Sequence, residues 1–260
     1  MDYKRVNEFK DFFRLFKNWY ARIFEFFELY PNSLVQYRMR NGLVYFVRQK
    51  TSDVSSIIEP LGSKGYLKFF NISPKDTVID IGANIGGFSI YAADAATKGI
   101  VYAFEPVENN FIMLQKNIQA NNIKNIKTFR KGVLGKEKKT RIFLAKRNSN
   151  HSIFKKEKNS GSILASFTSL PKIFSENRIG RCDFLKIDCE GAEYDILMTC
   201  PEDTLKKIAK IAVEVHEPKG VKNRFKLKSF LEKNGFKTIL EEEKERLGKT
   251  GRGIIYAQRS

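Results

Sequence analysis

The chain has 260 residues, enough for one substantial core, and its 47 Lys and Arg against 29 Asp and Glu leave a formal charge of +18. That surplus favours encounters with phosphates, nucleic acid or an anionic membrane surface, but the lysines are scattered along the chain and say nothing about fold. Cys182, Cys189 and Cys200 lack CxxC spacing and only two histidines accompany them, which argues against a disulfide scaffold or a zinc site.

In chain order, Asp2, Lys4 and Arg5 open a charged stretch without an apolar signal region, so the expected compartment is the cytoplasm. From Val6 to Tyr30, Phe9, Phe12, Phe13, Phe16, Trp19, Tyr20, Ile23, Phe24, Phe27 and Tyr30 recur at three- and four-residue spacings, which predicts one long helix with an aromatic stripe. Lys10, Asp11, Arg14, Lys17, Arg22 and Glu25 exclude a membrane-spanning helix. The stripe is expected to pack on the chain's own protein surface, with a homodimer contact next and an interfacial membrane contact last. "SLVQYRMRNGLVYFVRQ" alternates apolar and polar residues about Asn41-Gly42 and predicts a hairpin. Residues 1–60 thus read as an extension and residues 61–260 as one α/β domain.

Strands and helices then alternate. "TVIDI" leads into a helix through Ala96, "IVYAF" into one from about Val107 to Asn121, and "NIKTFR" into a predicted hairpin, "GVLGKEKKTRIFLAK". After a polar insertion at 146–162 come "CDFLKID" with a helix near Ala192 to Met198, and "IAKIAVEVH" with one near Lys222 to Asn234. "FKTILEE" and "GIIYAQ" close the chain. The pattern predicts a mostly parallel sheet with an antiparallel edge, its ligand lying at the carboxyl ends of the strands.

"TVIDIGANIGGFSIYAA" places Asp80 at a strand end and Gly82, Gly86 and Gly87 in the turn to the next helix, where missing Cβ atoms permit positive φ and a close ligand. An acid here repels a pyrophosphate but suits an ammonium. Glu105, at the end of the next strand, stands where an acid grips ribose hydroxyls. Ribose without pyrophosphate, beside an amino-acid ammonium, describes S-adenosylmethionine.

"VIDIGANIGGFSIYAA", "VYAFEPVENNFIMLQKNIQANN", "FLKIDCEGAEYDIL" and "AVEVHEP" together resemble successive motifs of the FkbM family of S-adenosylmethionine-dependent methyltransferases, from about Val35 to Pro218. The resemblance implies a seven-stranded, Rossmann-like class I methyltransferase fold and methyl transfer to a hydroxyl oxygen of a sugar, glycan or small-molecule scaffold. It implies cofactor contacts from Glu59 and Tyr66, from Asp80, Gly82, Ala83, Asn84, Gly86, Phe88 and Ser89, from Glu105 and Pro106, and from Asp188. Leu170-Pro171 departs from the Leu-Asp pair usual after the family's variable insertion, and the N-terminal aromatic helix lies outside the resemblance.

Asp188, Glu190, Glu214 and His216 are the expected catalytic residues. Glu214 and His216 are two apart on one strand and so share a face, while Val213 and Val215 point the other way. A hydroxyl acceptor calls for a base, and both His216 and Asp188 qualify. Asp188, Glu214 and His216 also form a set suited to a divalent ion, although none is expected. Lys186 reads as pointing away from Asp188's face or snorkelling, without a role, and Cys189 as packing. An RNA methyltransferase is the rival reading, disfavoured because "KIDCEG" replaces the Asn/Asp-Pro-Pro-aromatic sequence used on flipped bases; a catalytically idle binding protein is the third.

Overall fold

The computed structural model describes residues 10–22, 34–63, 65–144, 161–217, 223–242 and 252–259. A hairpin of β1 (Leu34–Arg38) and β2 (Val44–Arg48) and a short helix α1 (Ser55–Leu61) precede the α/β body. The body continues with β3 (Thr77–Ile81), α2 (Gly87–Ala95), β4 (Ile100–Phe104), α3 (Glu108–Ala120) and β5 (Ile126–Phe129). Three strands follow, β6 (Gly132–Val133), β7 (Lys138–Phe143) and β8 (Ser162–Thr168), then α4 (Leu170–Glu176), β9 (Phe184–Ile187), α5 (Glu193–Met198) and α6 (Glu202–Leu205). The last elements are β10 (Lys210–His216), α7 (Asn223–Lys233), β11 (Phe236–Glu242) and β12 (Arg252–Arg259).

Seven strands form the main sheet in the order β11-β12-β10-β9-β3-β4-β5. Its central strands are buried almost throughout because helices cover both faces, which is why they read as unbroken apolar runs. Ile79, Ile81, Leu185 and Ile187 fill the core on one face; Val78, Phe184, Ala212 and Tyr256 fill the other with Phe88 of α2. The antiparallel strand is β12, and it lies between β10 and β11 instead of at the edge. Strands β11 and β12 pair antiparallel, so β12 inserts beside β10 and leaves β11, parallel to β10, outermost.

The expected hairpin at "GVLGKEKKTRIFLAK" is not one. Strands β6 and β7 do not pair with each other; β8 lies between them, parallel to β6 and antiparallel to β7. The polar insertion lies outside the described residues except Gly161 and Ser162, where β8 begins.

The long N-terminal helix is also interrupted. Residues 10–15 are helical, but Phe16 forms an isolated antiparallel bridge with Met39, and a new helical turn starts only at Ala21. The backbone leaves the helix because the free edge of β1 competes for its hydrogen bonds. Lys17 N–H donates to Arg38 O at 2.7 Å, and the Asn18 side chain accepts from Arg38 N–H at 2.7 Å and donates to Gln36 O at 2.8 Å. Phe12 and Phe16 are buried against Tyr37 as expected, whereas Trp19 and Tyr20 are 39% and 51% exposed. Phe9, Ile23, Phe24, Phe27 and Tyr30 lie outside the described residues. Among the described residues no helix is long and apolar enough to cross a membrane.

The β1–β2 hairpin is present, closed over Arg40, Asn41 and Gly42 with positive φ at Gly42 alone of these three. Its β2 edge docks on α3 through asparagine amides. Asn117 accepts from Phe46 N–H at 2.7 Å and donates to Phe46 O at 3.1 Å and Ile85 O at 3.0 Å. Asn121 repeats the pairing one step along, at 2.8 Å from Val44 N and 2.7 Å from Val44 O. Beneath the hairpin, Tyr37, Tyr45 and Val47 share a core with Ile57 of α1, Ile90 of α2 and Met113 of α3. Because Asn117 is wholly buried and serves three backbone groups, Asn117→Ala is expected to lower the unfolding free energy by about 2–3 kcal/mol in urea titrations, more than Asn121→Ala does.

Candidate functional site

The carboxyl ends of β3, β4, β9 and β10 meet at one edge of the sheet. The glycines of the turn after β3 are required there by the chain itself. A Cβ on Gly82, where φ is +78°, would lie 1.8 Å from the carbonyl oxygen of Asp188, and one on Gly87 would lie 2.2 Å from that of Ser56. The bare backbone thus lets the loop after β9 and the start of α1 close onto the turn. Asn84 takes a left-handed conformation, φ 51°, and is held by a backbone N–H donated to Glu105 Oε2 at 2.9 Å and a side-chain bond to Ser56 Oγ at 3.0 Å.

Under this turn lies a buried ion pair. Asp80 and Lys186 are partners in the β3–β9 register, and Lys186 Nζ stands 3.0 Å from Asp80 Oδ1. Nζ also donates to Gly82 O at 2.7 Å and lies over the Tyr66 ring, while Ser89 Oγ donates to Asp80 Oδ2 at 2.5 Å. Burial opposes the lysine's charge, yet Asp80 and Asp188 together keep its pKa above the ordinary lysine value. The expectation that Lys186 has no role is corrected. Residues 186 and 188 are two apart and share a face, so Lys186 Nζ comes within 3.9 Å of Asp188 Oδ2.

Gly82, Asn84, Glu105, Pro106, Asp188 and Glu190 line one cleft enclosing about 650 Å³ of space, solvent included. Val107, Val133, Ile142 and Phe167 complete its lining with apolar surface. Gly132 is needed in that lining, since a Cβ there would lie 2.3 Å from the Phe167 ring. Glu105 is buried and accepts from Val107 N–H and Asn84 N–H, each at 2.9 Å. Burial outweighs these donors and the Asn110 amide, raising its pKa to about 7.

Beside the cleft four acids, a tyrosine, a histidine and an arginine converge. Tyr66 Oη lies 2.9 Å from Asp188 Oδ2 and 2.7 Å from Glu214 Oε2. His216 Nδ1 is 2.8 Å from Oε1 of the fully buried Glu193, which also accepts from the N–H groups of Cys189 and Gly191. His216 Nε2 lies 3.5 Å from Glu214 Oε1 and 3.7 Å from Glu190 Oε1; Arg252 approaches the same two acids at 3.8–3.9 Å. Burial works against an imidazolium, but Glu193 and Glu214 override it and hold the His216 pKa well above its ordinary value. Burial raises Glu190 to about 7. Cys189 stays a thiol, its pKa pushed up by burial and by Glu193, so packing is its role here.

The structure therefore brings together Asp188, Glu190, Glu214 and His216, with Tyr66 between two of them. Asp188, Glu214 and His216 each offer one atom within 4.8 Å of the others, though the carboxylates are bonded to Tyr66 and the imidazole to Glu193. Ala83 and Gly86 of the turn, and Phe88 and Ser89 of α2, are not among the residues lining the cleft: Phe88 packs on Tyr66 and Phe184, and Gly86 faces Leu114 and Ile90. Glu59 is exposed on α1, close enough for Arg252 to feel its charge. Lys186, Glu193 and Arg252 were not anticipated. A lysine inside a four-residue strand buried at every position was the signal for the first; nothing local marked Arg252, which arrives from β12 by register with His216.

A seven-stranded sheet in this order, with one inserted antiparallel strand and an acid-lined cleft at its carboxyl edge, is the class I methyltransferase fold. Solved structures that share it include M. jannaschii TYW2 in complex with AdoMet, at TM-score 0.50 and 14% identity over 89% of each chain, and P. horikoshii TYW2 in complex with MeSAdo, at TM-score 0.51 and 14% identity over 88% of this chain and 73% of that one. The methyltransferase FkbM domain matches residues 80–238, more than half of the chain. The chain belongs to the FkbM methyltransferase family. Among curated relatives, Methyltransferase 1 of Beauveria bassiana is 25% identical over 190 residues, covering 65% of this chain and 75% of its own length.

Lys186→Met leaves Asp80 charged and unpaired in the core and is expected to cost about 3–5 kcal/mol of stability. The double variant Asp80→Asn, Lys186→Met should recover most of that loss in the same chemical-denaturation measurement, because no lone charge remains.

Proposed function

We propose that the chain transfers a methyl group from S-adenosylmethionine to a hydroxyl oxygen of a sugar, glycan or small-molecule scaffold. The observation that carries this reading is the cleft that Glu105 and Asp188 both line, shared with the apolar Val107, Val133, Ile142 and Phe167 and, among the described residues that line it, without a lysine or arginine to receive a phosphate. The donor fits these residues. A carboxylate offers about four lone-pair sites, and Glu105 keeps at least one for ribose hydroxyls after its bonds to Asn84, Val107 and Asn110. Pro106, Val107, Val133, Ile142 and Phe167 suit an adenine ring, and the Gly82–Gly87 turn suits the methionine end.

When bound, the donor supplies an electrophilic methyl on a positively charged sulfur. The chain's own residues must then orient the acceptor and take its proton. Of the two candidate bases, Asp188 fits: its side chain is 30% exposed to the cleft, and burial and Glu214 raise its pKa. His216, held as an imidazolium by Glu193, is already protonated near neutral pH and acts instead by pairing with Glu214. Glu190 and Glu214 offer acceptors for further hydroxyls on the substrate. The same acids would repel a polyanionic acceptor, which disfavours the RNA reading, and a catalytically idle chain would have no use for them.

Calorimetric titration with S-adenosylmethionine tests the donor site. Glu105→Gln should weaken binding by about 1.5–3 kcal/mol. Ribose hydroxyls need the ionised acid, and Glu105 holds its proton up to about pH 7, so affinity should rise as pH increases through that value. For S-adenosylhomocysteine, the neutral product with the same ribose, affinity should be roughly tenfold weaker near pH 6 than near pH 8, and flat with pH in the glutamine variant. Asp188→Asn should lower kcat by about 10²–10⁴ while leaving donor binding in place; unchanged turnover would reject its role as base.

A further inference from the structure

Tyr66 has one hydroxyl hydrogen and two carboxylate neighbours, Asp188 Oδ2 at 2.9 Å and Glu214 Oε2 at 2.7 Å. One hydrogen satisfies one of these contacts. The other is either an uncompensated approach of two oxygens in a buried setting or a hydrogen bond in which the carboxyl is the donor. Ionisation of Tyr66 does not resolve the conflict: the side chain is 2% exposed, and burial followed by the two acids pushes its pKa well above 10.0. A second hydrogen on one of the acids does.

The surrounding charges decide which acid. Glu214 Oε1 faces His216 Nε2 at 3.5 Å and Arg252 Nη1 at 3.9 Å, two cations that keep it ionised. Burial alone would raise its pKa, but His216, Tyr66 and Arg252 bring it down to about 2. Asp188 has Lys186 at 3.9 Å, and that ammonium is already engaged by Asp80 at 3.0 Å and Gly82 O at 2.7 Å. Burial and the charge of Glu214 raise Asp188, with Lys186, His216 and the Tyr66 hydrogen bond opposing.

We propose that before the donor binds Asp188 carries a proton, donated to Tyr66 Oη while Tyr66 donates to Glu214, and that arrival of a positively charged sulfonium beside Asp188 expels this proton. The inference rests on the donor assignment above and deepens it. A nearby opposite charge favours an ionised carboxylate. The arrangement also balances the reaction: the acceptor's O–H bond and the sulfur–methyl bond break, an O–methyl bond forms, a neutral thioether leaves, and the acceptor's proton returns to Asp188. The buried site then holds the same net charge before and after transfer. Asp188 becomes more basic as the positive charge on sulfur disappears, so proton uptake and methyl loss reinforce each other.

Calorimetry in two buffers of different ionisation enthalpy at the same pH, near 7, reads the protons released on binding. S-adenosylmethionine should release up to about one proton more than S-adenosylhomocysteine, its neutral thioether product. Both ligands carry the same ribose and amino-acid groups, so any proton from Glu105 cancels in the comparison. Asp188→Asn, which mimics the protonated acid, should bind both ligands and abolish the difference. Equal proton release by the two ligands in the parent chain would overturn the proposal, as would an undiminished difference in Asp188→Asn, which would assign the proton to Glu190. Failure of both ligands to bind the folded parent chain would overturn the donor assignment itself, a separate result, and the proposal with it.

Discussion

The buried pair between Lys186 and Asp80 is the interaction on which the carboxyl edge of the sheet depends. It joins neighbouring strands at the level where β3 gives way to the glycine turn, and the same ammonium anchors the Gly82 carbonyl. Removing two charges from water is costly, so such a pair survives only when hydrogen bonds complete its geometry. Here Ser89 supplies the remaining donor to Asp80. With the turn fixed, Gly82 can lie against the Asp188 carbonyl. That contact sets how far the loop after β9 stands from the turn, and hence the position of every acid that follows.

Much of this was legible in the chain because strand ends in a parallel sheet obey one rule. Asp80, Glu105, Asp188, Glu214 and His216 were each placed at a carboxyl end from local pattern alone, and each arrives at the same edge. The glycines were legible as close contacts but not as to what approaches them. A missing Cβ signals proximity without naming its source, and the source is the chain's own backbone at Asp188 and Ser56. Lys186 was misread for a reason of geometry: side chains two apart on a strand share a face, so its charge belonged with Asp188 from the start.

The N-terminal helix shows the opposite limit. Its aromatic spacing is helical throughout, and spacing alone contains no stop. The interruption at Phe16 to Asn18 comes from a non-local partner, the open edge of β1, and only the asparagine hinted at it, as a residue that readily trades helical hydrogen bonds for others. Likewise β6 and β7 look like a hairpin because they are neighbours in sequence, and the strand that separates them comes from beyond the polar insertion.

Three asparagine side chains close the small hairpin on both sides: Asn18 along β1, and Asn117 and Asn121 along β2. A two-stranded sheet ordinarily exposes two ladders of unmatched amides and carbonyls, and each is a template for an incoming strand from another molecule. Amide side chains satisfy a ladder without extending it, since they present no further edge. The hairpin is in this sense a sheet terminated at both borders, and strand addition there would have to displace the first helical segment on one side or α3 on the other. A lysine-rich chain thereby withholds from its neighbours the two borders of its β1–β2 hairpin, on which β-type self-association would otherwise begin.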